Sequence, residues 1–97
     1  MNIFESLNFS KDFEITDTIL KNEKIKIERI LSSGQSSDVY DQNEDEWVLV
    51  LEGESVLETE GKEIPLKKGD HYYIKAHEKH RVLYTSENCL WLCIFVK

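Results

Sequence analysis

Short runs in which apolar and polar residues alternate recur along the chain, and turn-forming residues separate them. Such alternation is typical of strands with one buried face, and no stretch keeps the apolar spacing of an amphipathic helix. The segments predicted as strands are 13–20, 25–31, 47–53, the two arms of a hairpin over 54–66 that turns near Gly61, 71–76, 80–86 and 89–97. Pro65 cannot donate a ladder hydrogen bond, so its strand should lie at a sheet edge or carry a bulge. The pattern therefore predicts an all-β fold of about eight strands, as in a sandwich or a barrel.

Two of these segments, 47–51 and 89–96, are apolar on both faces. One face of each can point into a barrel, but the other face also needs cover. Either another layer of the same chain or a partner chain can supply it. Because an uncovered apolar strand would leave an exposed hydrophobic surface that favours association, we expect a homodimer.

The composition indicates one folded domain. Of the 97 residues, 40% are hydrophobic and 32% are charged, a balance that argues against disorder. We expect a single domain over 1–97, with an N-terminal arm over 1–13 and the barrel over 14–97. The net charge of −7 argues against nucleic acid and membrane surfaces as partners, since both select basic patches. No apolar run approaches the ~20 residues of a membrane span, and the first residues lack the pattern of a signal peptide, so a cytoplasmic protein is expected.

The two cysteines, Cys89 and Cys93, lie four residues apart in an apolar segment. Along an extended strand this spacing puts both on one face, ~13 Å apart at about 3.3 Å per residue. That distance is too long for a disulfide. Both cysteines are therefore predicted to be small buried apolar side chains.

Glu46 is the strongest candidate for chemistry in the first half of the chain. By strand alternation it shares a face with the valines that follow it, while Glu44 and Asp45 before it are predicted to be solvated turn residues. Upstream, Tyr40 and Gln42 share a face of their own. The spacing of this block is as follows: Gly34, five residues, Tyr40-Asp41-Gln42, three residues, Glu46, six residues and Gly53.

His80 is the matching candidate in the second half. It opens a predicted strand and, by alternation, shares its face with Tyr84. Gly69 lies upstream at the tight turn that precedes segment 71–76.

These two blocks resemble the two motifs of the cupin superfamily, whose members are small jelly-roll barrels, or double-stranded β-helices. The first cupin motif has the spacing seen here from Gly34 to Gly53, but with His-x-His where this chain has Tyr-Asp-Gln. The second motif has a glycine and a histidine at the positions of Gly69 and His80. Three further positions depart from its usual proline, glycine and asparagine: they are Lys75, His77 and Tyr84. The chain is similar to short single-domain cupins of bacteria and archaea, which implies a cupin barrel of about eight strands.

The resemblance implies that the strands carrying Glu46 and His80 lie side by side and aim both side chains at one point inside the barrel. A carboxylate and a neutral imidazole suit Zn²⁺, Mn²⁺, Fe²⁺ or Ni²⁺. Gln42 and, last, Tyr40 would complete the site, but an amide oxygen and a phenol of pKa ~10 are poor ligands. With two strong ligands in place of four, a divalent metal and a metal-free pocket for a small organic ligand stay equally open.

Three more side chains are predicted at the pocket or its rim: His77, Tyr84 and Tyr72. His77 is either a rim group that contacts ligand or shuttles protons, or an exposed loop histidine in a glycine position. His71 alternates away from Tyr72 and is expected on the outside.

Two hypotheses for function follow. The first is a metal-dependent enzyme that acts on a small polar substrate, with Glu46 and His80 holding the metal and Tyr40 or His77 as acid or base. The second is a binding or sensor module that captures a small ligand in the barrel and needs no metal. No phosphate-binding loop, Cys-x-x-Cys pair or nucleophile elbow points elsewhere.

Overall fold

The computed structural model describes residues 1–97 and consists of eight antiparallel strands without a helix. The strands are β1 (Ile15–Lys21), β2 (Ile25–Ser32), β3 (Asp45–Glu52), β4 (Glu54–Thr59), β5 (Lys62–Lys67), β6 (His71–Ile74), β7 (His80–Thr85) and β8 (Cys89–Val96). The predicted all-β class and strand number are confirmed. No helix long and apolar enough to cross a membrane occurs in the chain.

The strands form two sheets. The larger has the order β1-β2-β8-β3-β6 and the smaller the order β5-β4-β7. The strand that contains Pro65, β5, is an edge strand, as its missing N–H requires. A jelly-roll barrel results, because the two sheets bury their inner faces against each other.

The core lies between the sheets and follows the alternation of the central strands. On β3, Val48 and Val50 point inward and are 3% and 0% exposed, while Trp47 and Leu49 point outward and are half-buried. On β8 the inward face carries Cys89, Trp91, Cys93 and Phe95, all of them buried. Both cysteines are free and buried, as predicted.

A β-bulge in β7 changes the direction of its second half. In the pairing with β4, Leu57 lies opposite Val82 and the next residue, Val56, lies opposite Tyr84, so Leu83 is an extra residue. Up to Val82 the strand keeps the predicted alternation, with His80 and Val82 facing inward. Beyond the bulge, Tyr84 points outward and is 46% exposed. The prediction that Tyr84 shares the face of His80 is therefore wrong.

Gly53, which separates β3 from β4, is the motif glycine with the tightest surroundings. Its φ of +79° lies in the left-handed region that a side chain disfavours. A Cβ atom there would come within 2.6 Å of Ser86 Oγ and 3.0 Å of Cys89 Cα. Glycine is required at this position for both reasons.

The N-terminal residues are fixed to the outer face of the larger sheet by Arg29 of β2. This side chain is 4% exposed. Its Nη1 donates to the carbonyl oxygens of Ile3 and Glu5 at 3.1 and 2.6 Å, and its Nε and Nη2 donate to Asp17 Oδ2 at 3.1 and 2.6 Å. Further along, Gln35 Nε2 donates to the carbonyl oxygen of Ser10 at 2.8 Å.

Candidate ligand-binding cavity

A cavity of about 180 Å³ lies between the two sheets. Roughly half of the lining residues are apolar, and the strands that contribute most residues are β2 and β8, followed by β3 and β7. The lining residues are Glu14, Thr16, Glu28, Ile30, Ser32, Ser37, Tyr40, Gln42, Glu46, Val48, Leu57, Ile74, His80, Val82, Trp91, Cys93 and Phe95. A few polar groups in an apolar setting are the usual composition of a small-molecule site.

Glu46 and His80 meet in this cavity. Their side chains are 10% and 4% exposed, and Glu46 Oε1 lies 3.9 Å from His80 Nε2. The strands that carry them are not neighbours, because β3 belongs to the larger sheet and β7 to the smaller. The expectation that these strands lie side by side is therefore wrong: the two side chains converge across the barrel, from opposite sheets.

The ring orientation of His80 is set by its backbone surroundings. Its Nδ1 lies 2.8 Å from the carbonyl oxygen of Glu78. Since a carbonyl can only accept, Nδ1 carries a hydrogen, and in the uncharged form of the ring Nε2 holds the lone pair. Nε2 faces the cavity, where it makes no hydrogen bond within the protein.

Glu46 is a buried carboxyl whose pKa is raised, chiefly because burial removes it from water. A hydrogen bond from Gln42 Nε2 to Glu46 Oε1, 3.0 Å long, and the nearby His80 favour the charged form but do not outweigh burial. The Cys93 thiol also contacts this carboxyl, and burial together with the charge of Glu46 raises the pKa of Cys93 well above its ordinary value. Glu46 thus keeps its proton to a higher pH than an exposed glutamate.

Glu78 positions the His80 loop, a role that no motif or spacing in the sequence indicates. Its Oε2 accepts hydrogen bonds from Thr59 Oγ1 at 2.6 Å and from the Tyr72 hydroxyl at 3.1 Å. Partial burial works against ionisation, but these two bonds and a third from the Lys75 backbone outweigh it and lower the pKa of Glu78. The charged side chain fixes the loop whose carbonyl orients His80.

Tyr40 and Gln42 both line the cavity, in agreement with their predicted shared face. Tyr40 forms an isolated β-bridge with His80, with N–H···O distances of 2.7 and 3.1 Å. Tyr40 is 45% exposed, and its ring lies 5.6 Å from the His80 ring, centroid to centroid, with the planes tilted by 45°. Tyr40 therefore lies at the open side of the cavity.

His77 and Tyr72 do not line the cavity. His77 is in the loop before β7 with a φ of +64°, the left-handed conformation that explains why its motif position is usually glycine. Its Nδ1 lies 2.8 Å from Asp41 Oδ1, and both side chains are largely exposed. Tyr72 packs against the core and bonds to Glu78. His71 lies on the outer face, where its ring is 5.7 Å from that of Trp47.

The prediction that Asp45 is a solvated turn residue is wrong. It is the first residue of β3, accepts a hydrogen bond from the Tyr73 hydroxyl, and accepts another from the Ala76 backbone at 2.7 Å. These bonds lower the pKa of Asp45, with the Tyr73 bond as the larger cause. Asp45 therefore ties the start of β3 to the end of β6.

Sequence reasoning missed two glutamates that line the cavity, Glu14 and Glu28. Partial burial raises the pKa of Glu14, and the charge of Glu28 adds to the shift. The Glu28 side chain is 14% exposed, with Lys26 Nζ 3.7 Å from its carboxylate. Alternation on β2 does place Glu28 with Ile30 and Ser32 on one face, but the opposite face is the more apolar one and therefore looked like the inner face.

The side chains of the cavity provide fewer ligands than a divalent metal usually has. No three His, Cys, Asp or Glu side chains come close enough together to hold one ion. Glu46 and His80 are a pair, and the Gln42 amide nitrogen, as its hydrogen bond assigns it, faces Glu46. The residues present thus supply two strong ligands where a structural or catalytic metal usually has three or four.

Comparisons with known proteins agree on the family. The profile of the cupin domain family Cupin_2 matches residues 27–95. A solved structure from Ralstonia eutropha JMP134, named as a candidate mannose-6-phosphate isomerase, is 35% identical with a TM-score of 0.94, covering 100% of this chain and 96% of that one.

More distant solved structures show the fold alone. A cupin from Desulfovibrio desulfuricans is 22% identical with a TM-score of 0.86, covering 99% of this chain and 93% of that one. KdgF from Halomonas sp. is 16% identical with a TM-score of 0.79, covering 86% and 79%. A search of curated proteins finds no match. The profile match and the Ralstonia structure together establish that this chain belongs to the cupin superfamily.

Proposed function

We propose that this cupin binds a small polar molecule without a phosphate group in its barrel cavity, between Glu46 and His80. The observation that carries the proposal is the position of His80 Nε2, which faces the cavity without a hydrogen-bond partner and lies 3.9 Å from Glu46 Oε1. A ligand oxygen or nitrogen placed between them can lie ~2.8 Å from both atoms, an ordinary hydrogen-bond length. A second polar surface, Gln42 and Tyr40, lines the same cavity.

The pair is also suited to proton transfer. In its uncharged form His80 can accept a proton at Nε2, and Glu46, whose pKa is raised by burial, can act as the acid. Proton transfer is what an isomerase such as the one named for the Ralstonia protein requires. A phosphorylated substrate, however, needs cationic partners, and no lysine or arginine lines the cavity. The relative's name therefore supports acid–base chemistry here, and the lining favours a substrate without phosphate.

A metal site is the second candidate, and the orientation of His80 supports it. A histidine that donates its other ring nitrogen to a carbonyl is the usual form of a metal ligand. Glu46 and His80 would hold the ion, with Gln42 and Tyr40 as weak additional ligands. Bound there, Zn²⁺, Mn²⁺, Fe²⁺ or Ni²⁺ would act as a Lewis acid toward a substrate oxygen. With only two strong ligands, we expect binding much weaker than in a complete site.

Thermal-shift measurements in the presence of EDTA test the first candidate against the second. The ligands are small polyols, amines and organic acids, with mannose and mannose 6-phosphate as a matched pair. We expect stabilisation by a phosphate-free compound, about 2.7 kcal/mol at a hundred times its Kd, to persist in EDTA.

The stabilisation should be lost in His80→Gln and kept in His71→Gln, a matched change on the outer face. Stabilisation by divalent ions alone, abolished by EDTA and by His80→Gln, would favour the metal site instead. If mannose 6-phosphate is preferred over mannose, the phosphate-free part of the proposal is wrong.

A further inference from the structure

The chemistry of the cavity lining indicates which class of ligand it takes. We propose that the ligand is a small organic amine, bound as a cation by Glu14, Glu28 and Glu46 and by the lone pair of His80. This inference rests on the proposed function, since it assumes that the cavity binds a ligand at all.

The charged groups of the cavity lining favour a cationic ligand. Three carboxyl side chains line the cavity, and no lysine or arginine does. They lie close enough that the charge of Glu28 acts on both Glu14 and Glu46. Lys26 Nζ lies 3.7 Å from the Glu28 carboxylate and can offset the charge of that one glutamate. A cationic ligand would be attracted to this lining, whereas an anionic one would be repelled.

The cavity also holds acceptors that suit a ligand rich in donors. Ser37 Oγ donates to the Asp38 carbonyl and Gln42 donates to Glu46, so these two donors are used within the protein. His80 Nε2, on a side chain only 4% exposed, has no hydrogen-bond partner in the protein. An ammonium group brings donors only, and it can donate to Nε2 and to the carboxylates of the lining.

The aromatic side chains of the lining also favour a cationic ligand. Trp91 and Phe95 lie on the inward face of β8, and Tyr40 lies at the open side. The Phe95 ring already takes one cation on its face, since Lys26 Nζ lies 4.4 Å from the ring centroid. Aromatic faces attract organic cations in the same way.

The spacing of the carboxylates favours an extended cation over a metal ion. Glu14 precedes β1, Glu28 lies in the middle of β2 and Glu46 at the start of β3. They do not converge on one point, as a metal would need. A diamine presents two separated charges, and the cavity of about 180 Å³ corresponds to about six water volumes at ~30 Å³ each. A chain of four carbons with two terminal nitrogens is of that size.

Isothermal titration calorimetry in EDTA with three four-carbon probes tests the inference. The probes are 1,4-diaminobutane, the neutral 1,4-butanediol and the anionic succinate. We expect the diamine to bind about tenfold or more tightly than the diol, and succinate not to bind. The diamine affinity should fall with added salt, because the attraction is partly electrostatic.

Single substitutions test whether the diamine binds in the cavity. Glu28→Gln and Glu14→Gln should each weaken diamine binding several-fold while leaving diol binding unchanged. Glu63→Gln, an exposed residue of β5, is the matched control and should leave both unchanged. Circular dichroism verifies that each variant is folded.

The outcomes separate this inference from the proposed function. If the diol or succinate binds as well as the diamine, and the binding is lost in His80→Gln, the amine inference is wrong and the proposed function stands. If no probe binds, or if diamine binding does not respond to Glu14→Gln and Glu28→Gln, the amine inference is also wrong. If probes bind but none depends on His80, the proposed function itself fails.

Discussion

Glu46 is the residue at which burial and chemistry are most closely linked. A buried carboxyl with a raised pKa favours the folded state at a pH where the carboxyl is protonated. At a pH where it must ionise, it destabilises the folded state. Glu46 is 7% exposed, and its pKa is raised above the ordinary value of 4.5. Its contribution to folding therefore depends on pH.

The sign of that dependence gives a prediction for Glu46→Gln. The stabilising effect of the raised pKa is fully present below pH 4.5, and it is lost as the pH rises through the folded-state pKa. Glutamine mimics the protonated carboxyl and does not ionise. In EDTA, the Tm of Glu46→Gln relative to the parent should therefore increase as the pH is raised from 4.5 towards neutrality. Thermal unfolding at a series of pH values measures it.

The control for this experiment is Glu63→Gln, whose side chain is exposed. Its effect on Tm should not follow the same profile. A difference between Glu46→Gln and the parent that stays constant with pH would contradict the account of Glu46.

At single residues, alternation along the sequence predicted correctly the sheet face of a side chain wherever the strand is regular. Glu46 on β3 and His80 on β7 face inward as alternation required, because both lie on uninterrupted ladder segments. Tyr84 could not be placed in the same way. The extra residue Leu83 shifts the register, and nothing in the local pattern marks a bulge that depends on the partner strand.

Among the elements, β2 shows why the rest of the site was not predictable. Its more apolar face, with Ile27 and Leu31, points out of the barrel, while the face with Glu28 points into the cavity. Pattern reasoning assigns the apolar face to the interior. The assignment is reversed here because the N-terminal residues cover the outer face, and the inner face borders a polar cavity.

Arg29 lies on the covered face of β2, and its removal should destabilise the folded protein. Removing it leaves two carbonyl oxygens and Asp17 without their donor. Breaking a buried pair costs about 3–5 kcal/mol, and the 39% exposure of the Asp17 side chain lowers the expectation to about 2–4 kcal/mol for Arg29→Ala. Denaturant unfolding measures the loss, and hydrogen exchange should show residues 1–13 deprotected first.

Arg81→Ala is the matched control, because Arg81 in its ion pair with Glu58 is 42% exposed, whereas the Arg29 side chain is 5% exposed. We expect that change to cost no more than ~1 kcal/mol. Equal losses for the two variants, or unchanged exchange of residues 1–13 in Arg29→Ala, would show that Arg29 does not fix the N-terminal residues.

For the whole molecule, the outer face of the larger sheet is the surface that the chain covers only in part. Ile27, Ile94 and Trp47 lie in one row across β2, β8 and β3, and Leu92 and Leu49, which pair with each other, form the next row on this face. All five side chains are half-buried. A row of neighbouring apolar side chains on a sheet is typical of an interface between subunits. We propose this face as the surface of the expected homodimer.

The last prediction follows from that surface. Light scattering coupled to size-exclusion chromatography should give the parent a mass near twice 11.4 kDa. Ile94→Lys places a charge at the centre of the row and should yield a folded monomer, because an unpaired buried charge opposes association. Leu20 lies on the edge strand β1 and is 44% exposed, and Leu20→Lys should remain dimeric. Circular dichroism shows whether Ile94→Lys keeps its strands. A monomeric parent, or a folded Ile94→Lys that stays dimeric, would exclude this face as the interface.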